Sequence, residues 1–82
     1  MTLYERIRDL RTKNGMSQEE LAIATGYKDR SMITKIEAGK VDLPQSKVFE
    51  FAKALSTTTR YLMGWDGKTI LRKAYYQKTK SI

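Results

Sequence analysis

The sequence predicts an all-α fold of five short helices, and three kinds of signal support this prediction. The segments Thr2–Glu5 and Ser17–Glu20 have the spacing of a capping box, in which a Ser or Thr begins a helix and a Glu closes its first turn. Apolar residues then recur at intervals of three and four, which is the period of an amphipathic helix. A glycine, the residue that most often follows the end of a helix, comes after four of these segments: Gly15, Gly26, Gly39 and Gly64.

The first two helices are short and closely spaced. The first has apolar residues at Leu3, Ile7 and Leu10 and ends before Gly15. The second follows its own capping box and ends before Gly26, after only two turns. Because so short a helix is unstable in isolation, we expect it to pack against its neighbours.

The third helix is expected to span residues 29–38 and to have two different faces. Asp29 is its predicted N-cap, and Ile33 and Ile36 share one face at helical spacing. The opposite face is polar or cationic and has no acidic residue: Arg30, Ser31, Thr34 and Lys35. Two short helices joined by a tight turn that contains Gly26 are typical of a helix-turn-helix motif.

Two further helices complete the prediction. Asp42 and Gln45 form a plausible capping pair, with Pro44 in the first turn of the fourth helix. The apolar positions of this helix again follow helical spacing: Val48, Phe51, Ala52 and Leu55. The polar run at residues 56–59 supplies the cap of a short fifth helix, which ends before Gly64.

Residues 65–82 form a basic tail, and we divide the chain into a helix-turn-helix domain at residues 1–64 and this tail or linker. Its apolar residues recur at helical spacing, so an extra C-terminal helix is one interpretation: Ile70, Leu71, Ala74 and Tyr75. The tail is consistent with an arm on the DNA backbone, a linker to another domain, a partner-binding helix or a segment that rests on an acidic membrane.

Length and charge limit the kind of partner. The chain has 82 residues, which is enough for one small domain, and 16 Lys and Arg against 9 Asp and Glu give a formal net charge of +7. More than half of this excess lies in residues 65–82. A basic balance favours a polyanionic partner, and we place nucleic acid ahead of an anionic membrane surface.

The residue types that are missing argue against an enzyme. The chain has no Cys and no His, so it lacks thiol nucleophiles, histidine general bases and the usual zinc ligands. We therefore expect no metal, no cofactor and no small-molecule substrate. No stretch approaches the length of a membrane span, and the N-terminus lacks the apolar region of a signal peptide, so we expect a cytoplasmic protein without a membrane partner.

Several short motifs, in the right order, resemble those of a known family. The run SQEELAIATGYKDRSMITKIEAGK, at residues 17–40, resembles the helix-turn-helix of the Cro/repressor (XRE-type) family. The run LPQSKVFEFAKALSTTTRYLMGW, at residues 43–65, is similar to the N-terminal domains of repressors from phages of Gram-positive bacteria. The chain departs from the family pattern in two ways: the turn has one additional residue, and Asp29 replaces the usual Ser or Thr cap.

The resemblance implies a compact five-helix lambda-repressor-like domain and a role for several side chains. It assigns DNA base contacts to Arg30, Ser31, Thr34 and Lys35, and phosphate contacts to Gln18, Lys28, Lys40, Gln45, Ser46 and Lys47. Arg11 and Glu37 correspond to a structural ion pair. Because related domains pair through their fifth helix, the expected dimer seam is Tyr61, Leu62, Met63 and Trp65.

The chemistry of the third helix fits the assigned base contacts. An Arg can donate two hydrogen bonds to guanine O6 and N7, and Ser and Thr can bond several base edges. We therefore expect a sequence-specific regulator of transcription, a phage or prophage repressor. We expect it to bind an inverted-repeat operator in double-stranded DNA as a homodimer, and to be associated with the bacterial nucleoid. The alternative is an antitoxin or a protein-interaction adaptor on the same fold. The two hypotheses differ in whether the chain alone shifts an inverted-repeat duplex.

Overall fold

The helices begin and end close to their predicted positions. The computed structural model describes residues 1–64, and these residues form five α-helices without a strand. The helices are α1 (Leu3–Lys13), α2 (Gln18–Ala24), α3 (Ser31–Glu37), α4 (Gln45–Ala54) and α5 (Thr59–Leu62). The all-α, five-helix prediction is confirmed. The predictions for the tail, including the additional helix and the role of Trp65, lie outside the described residues.

The first two helices begin as the capping boxes predict. The Thr2 hydroxyl accepts from the backbone N–H of Glu5 over 3.1 Å, and the Glu5 carboxylate accepts from the backbone N–H of Thr2 over 2.8 Å. Ser17 and Glu20 make the same two bonds over 3.0 Å and 2.8 Å. Thr58 caps α5 by accepting from the backbone N–H of Tyr61. These bonds satisfy backbone donors that the first turn of a helix leaves without a partner.

The core takes side chains from all five helices. Its buried residues are Ile7, Leu21, Ala22, Ile33, Ile36, Val48, Phe51, Ala52, Leu55 and Leu62. Each buried Ile, Leu or Phe contributes about 1.5–3 kcal/mol through removal of apolar surface from water. Ile33 and Ile36 are both fully buried, so they fix the rotation of α3 and turn its opposite face outward. No helix within residues 1–64 is long and apolar enough to cross a bilayer.

The start of α3 corrects one prediction. Asp29 is not the N-cap: Arg30 occupies that position without a side-chain capping bond, and the helix begins at Ser31. Asp29 lies one residue earlier, where its carboxylate accepts from the backbone N–H of Ser31 over 2.9 Å. Residues 28–30 form a bend and a turn before the helix.

The start of α4 corrects another prediction. Pro44 is the N-cap, with extended backbone angles and no side-chain capping bond, and Gln45 is the first helical residue. Asp42 therefore does not pair with Gln45 as a cap. Its carboxylate instead accepts from the Tyr4 hydroxyl over 3.3 Å, because the loop after α3 passes beside α1.

Candidate nucleic-acid interface

The outward face of α3 is polar and exposed. Ser31, Thr34 and Lys35 are exposed along the helix, and Arg30 is exposed immediately before it. All four side chains that were predicted to contact bases therefore lie at the surface on one short segment. The only acidic residue within α3, Glu37, points inward, with 5% of its side chain exposed. The helix can therefore approach a polyanion without presenting its own carboxylate.

Beneath this face, Arg11 and Glu37 form a largely buried ion pair. The Arg11 Nε donates to one Glu37 carboxylate oxygen over 2.6 Å, and its Nη2 donates to the other over 3.2 Å. The side chains are 12% and 5% exposed. A third Arg11 nitrogen donates to the Met16 carbonyl over 2.9 Å, so the pair joins α1 to α3 and to the segment that precedes α2.

Gln18 connects this ion pair to the exposed face. Its side-chain NH2 donates to Glu37 over 3.1 Å, and its side-chain oxygen accepts from the Thr34 hydroxyl over 3.0 Å. Gln18 is the first residue of α2, where backbone N–H groups without helical partners favour a phosphate. Its amide is thus held between α2 and α3 instead of extending freely into solvent.

Asp29 holds the N-terminal end of α3. Its Oδ1 accepts both from the Ser31 backbone N–H over 2.9 Å and from the Ser31 hydroxyl over 2.5 Å. The hydroxyl bond and then the backbone bond lower the pKa of Asp29 below its ordinary value of 3.8, because both donors stabilise the carboxylate. Asp29 therefore stays ionised at neutral pH beside Arg30.

The residues predicted to contact phosphates fall into two groups. Lys28 and Lys40 are exposed on either side of α3, and Gln45 and Ser46 are exposed in the first turn of α4. Lys40 directly follows Gly39, and its backbone N–H donates to the Lys35 carbonyl over 2.9 Å, which closes the end of α3. Lys28 and Lys40 thus flank α3 in the chain. Gln18 is held between α2 and α3, and Lys47 has a different environment from all of these residues.

Lys47 points into the domain. Its ammonium donates to the Thr25 carbonyl at the C-terminal end of α2 over 2.5 Å and lies 4.4 Å from the centre of the Tyr27 ring. It also lies 3.3 Å from a Glu50 carboxylate oxygen. Lys47 thus supplies a donor to a helix end, a role that the sequence did not predict. Nothing in the spacing of Lys47 and Thr25 along the chain indicates this contact.

The predicted dimer seam is only partly at the surface. Leu62 is fully buried in the core, whereas Tyr61 and Met63 are half-buried. The Arg6 guanidinium lies 4.8 Å from the centre of the Tyr61 ring, which places a cation from α1 against α5. Leu62 therefore supports the packing of α5 on the domain, and Tyr61 and Met63 supply the accessible surface.

The comparison with protein families agrees with this arrangement. A helix-turn-helix family model matches residues 7–62, which include α1 to α5 almost completely. The chain belongs to the XRE-type helix-turn-helix family. Within this helix-turn-helix protein, α2 and α3 are the two helices of the motif, and Ser31, Thr34 and Lys35 lie on the outward face of the second one. Among curated proteins, no sequence matches the chain significantly.

Three solved structures resemble this helix-turn-helix protein. The restriction-modification controller protein C.AhdI from Aeromonas hydrophila is 36% identical with a TM-score of 0.68, over 74% of this chain and 87% of that one. The hypothetical transcription factor NHTF from Neisseria is 31% identical with a TM-score of 0.69, over 74% and 69% of the two chains. The P22 c2 repressor protein, in complex with a synthetic operator, is 26% identical with a TM-score of 0.72, over 80% and 98%.

The family and these similar structures establish the general function. The helix-turn-helix protein is a DNA-binding transcriptional regulator, and it is not an enzyme. Its partner is double-stranded DNA. The arrangement of its side chains supports a more detailed proposal.

Proposed function

We propose that this protein is a phage or prophage repressor that binds an inverted-repeat operator sequence-specifically as a homodimer. The observation that carries the proposal is the outward face of α3, which is exposed, polar or cationic, and free of acidic residues between Ser31 and Lys35. A helix fits the major groove of B-DNA, where each base pair presents its own pattern of donors and acceptors. In this proposal α3 reads bases, and occupancy of the operator blocks or recruits RNA polymerase.

The polar side chains around α3 divide into two roles. Arg30 and Lys35 carry only donors, which suit the O6 and N7 acceptors of guanine. A second set of side chains contacts phosphates and so fixes the register of the protein on the duplex. This set consists of Lys28, Lys40, Gln45 and Ser46, together with Gln18 at the N-terminus of α2. We leave Lys47 out of this set because its ammonium already donates to Thr25 within the domain.

The homodimer proposal rests on α5. Tyr61 and Met63 are partly exposed at this end of the domain. In a two-fold interface the surface that they form would pack against the same surface of a second copy. A two-fold dimer places its two reading helices on one side of the duplex. The two half-sites should then be separated by about 10 base pairs or a multiple of that spacing. Such a regulator acts on DNA in the bacterial cytoplasm.

Selection of bound sequences from random duplex DNA tests the proposal. We expect enrichment of an inverted repeat, and a gel shift of that duplex by the purified chain in the presence of competitor DNA. Failure of the chain to enrich any sequence would contradict the proposal, and binding only together with a second protein would favour an adaptor.

Variants of surface lysines test the role of α3 directly. Lys35→Ala should flatten the preference at one or two base pairs in each half-site while the circular dichroism spectrum stays helical. Lys53→Ala is the matched control, because it removes the same charge from the last turn of α4, where the lysine lies beside Phe49. An unchanged base preference in the Lys35→Ala variant would exclude Lys35 from base reading.

A further inference from the structure

Two exposed hydroxyl groups on α3, those of Ser31 and Thr34, have their only proton engaged within the protein. Their role in base reading rests on the proposed function, in which both face the major groove. A free hydroxyl can donate one hydrogen bond and accept others, so it can bond any base edge. A hydroxyl whose proton is already donated has only its lone pairs left. The direction of the hydrogen bonds that Ser31 and Thr34 make inside the domain therefore limits which base edges these two side chains can bond.

The Ser31 proton is directed to Asp29. The two oxygens, Ser31 Oγ and Asp29 Oδ1, lie 2.5 Å apart, so one proton must lie between them. Asp29 is ionised and has no proton to donate, because an ionised carboxylate only accepts. The proton therefore belongs to Ser31. The backbone N–H of Ser31 donates to the same carboxylate oxygen over 2.9 Å and holds the side chain in this position.

The Thr34 proton is directed by a chain of bonds that begins at the buried ion pair. Glu37 accepts from Arg11 and, as a carboxylate, can only accept, so the Gln18 atom that faces it over 3.1 Å must be the NH2 group. The other end of the Gln18 amide is then its oxygen, which faces the Thr34 hydroxyl over 3.0 Å. An amide oxygen has no proton, so Thr34 must donate. The second polar neighbour of this hydroxyl, the Arg30 carbonyl at 3.2 Å, is also an acceptor.

Both hydroxyls thus present lone pairs, and no proton, to the groove. In the major groove adenine offers its N6 amino group and cytosine its N4 amino group as donors, whereas guanine O6 and N7 and thymine O4 only accept. We infer that Ser31 and Thr34 act as acceptor-only readers, each of which selects adenine or cytosine, and excludes guanine or thymine, on the strand that its oxygen faces. Arg30 and Lys35, which only donate, have the opposite preference.

The buried ion pair gains a role in specificity from this arrangement. Arg11 and Glu37 are largely buried, yet they determine which end of the Gln18 amide meets Thr34. An amide in the reverse orientation would donate to Thr34 and would leave the Arg30 carbonyl as the one acceptor within the protein for the Thr34 proton. Gln18, held by Glu37, therefore adds the second internal acceptor that keeps this proton away from the groove.

Base analogues test the inference on the full chain. Selection with the wild type and with Thr34→Val, which replaces the hydroxyl by a methyl group, identifies the base pair whose preference depends on that hydroxyl. Every base pair contains either adenine or cytosine, so the decisive question is whether affinity depends on the amino group of that base or on the O6 or O4 oxygen of its partner. Replacing adenine by purine, or cytosine by 2-pyrimidinone, removes only the amino group. The wild type should then lose about 3- to 10-fold in affinity, which corresponds to one hydrogen bond.

Matched variants separate this loss from a general weakening of the duplex. Thr34→Val should lose no further affinity on the analogue, whereas Thr34→Ser, which keeps a hydroxyl, should respond to the analogue as the wild type does. The same analogue in a flanking base pair should affect all three proteins equally. Ser31→Ala and the base pair that it identifies provide a second, independent measurement.

The outcomes distinguish this inference from the proposed function. A loss of affinity on removal of guanine O6 or thymine O4 at the identified pair, with no loss on removal of the amino group, would show that the hydroxyls donate and would overturn the inference. An equal loss of affinity by the wild type and by Thr34→Val on the analogue without the amino group would also overturn it. So would base preferences that are unchanged in both Thr34→Val and Ser31→Ala. In each of these cases sequence-specific binding stands. Absence of any preferred sequence for the wild type would overturn the proposed function itself.

Discussion

Lys47 and Thr25 join two helices that are distant in the sequence. The Lys47 ammonium, in the first turn of α4, donates to the Thr25 carbonyl at the end of α2 over 2.5 Å and lies over the Tyr27 ring. With 25% of its side chain exposed, Lys47 is mostly screened from water. The last carbonyls of a helix have no helical partner, so a cation at this position satisfies one of them and interacts favourably with the helix dipole.

Lys47→Met should therefore destabilise the domain by about 1–2 kcal/mol, through loss of the charged hydrogen bond to Thr25 and the cation–π contact with Tyr27, with little from the exposed pair with Glu50. Methionine keeps most of the apolar stem, so the change isolates the ammonium group. Urea unfolding followed by circular dichroism measures the effect. Lys53→Met, on the same helix, is the control and should change the free energy of unfolding by less than half as much. Equal effects of the two substitutions would contradict a structural role for the Lys47 ammonium.

Glu37→Ala should lower the free energy of unfolding by about 3–5 kcal/mol, because it leaves the Arg11 guanidinium largely buried without its carboxylate partner. Urea unfolding at low temperature measures the loss. The double variant Arg11→Met with Glu37→Leu removes both charges and should recover much of the stability. A loss below about 1 kcal/mol for Glu37→Ala would mean that the pair contributes no more than an exposed ion pair.

Lys40→Ala should weaken binding to all duplexes by a similar factor, because the side chain follows the end of α3 and is assigned to a phosphate. Each phosphate contact releases bound counterions, so the slope of log affinity against log salt concentration should fall by about one in magnitude. Titrations at several salt concentrations, with the selected operator and with unrelated DNA, measure both quantities. A loss confined to the operator would instead indicate base reading by Lys40.

The Asp29 carboxyl should titrate with a pKa below 3.8, because the Ser31 hydroxyl and backbone N–H stabilise its ionised form. Because the pKa of Asp29 is lower in the folded state, its ionised carboxylate stabilises the fold fully above the ordinary pKa. This stabilisation is lost as the pH falls through the folded-state pKa. Carbon-detected NMR of the carboxyl group measures the midpoint. Ser31→Ala removes the larger cause and should raise the midpoint toward 3.8, and an unchanged midpoint would contradict the Ser31 bond.

Much of the fold could be predicted because its signals are local. The capping boxes at Thr2 and Ser17 act over three residues, and the spacing of Ile33 and Ile36 within one helix marks which face turns inward. The exposed face of α3 follows directly from the buried one. The predicted cap at Asp29 was wrong because residues 28–30 form a bend and a turn, so the helix begins only at Ser31 and Arg30 becomes the N-cap.

The contacts that orient the interface depend on residues far apart in the chain. Gln18 meets Glu37, and Lys47 meets Thr25, only once the helices have packed. A lysine or glutamine looks the same in the sequence whether it reaches solvent or a buried partner. Local patterns therefore specify the helices and the side that each one buries, whereas packing specifies where the polar side chains point and in which direction their hydrogen bonds run.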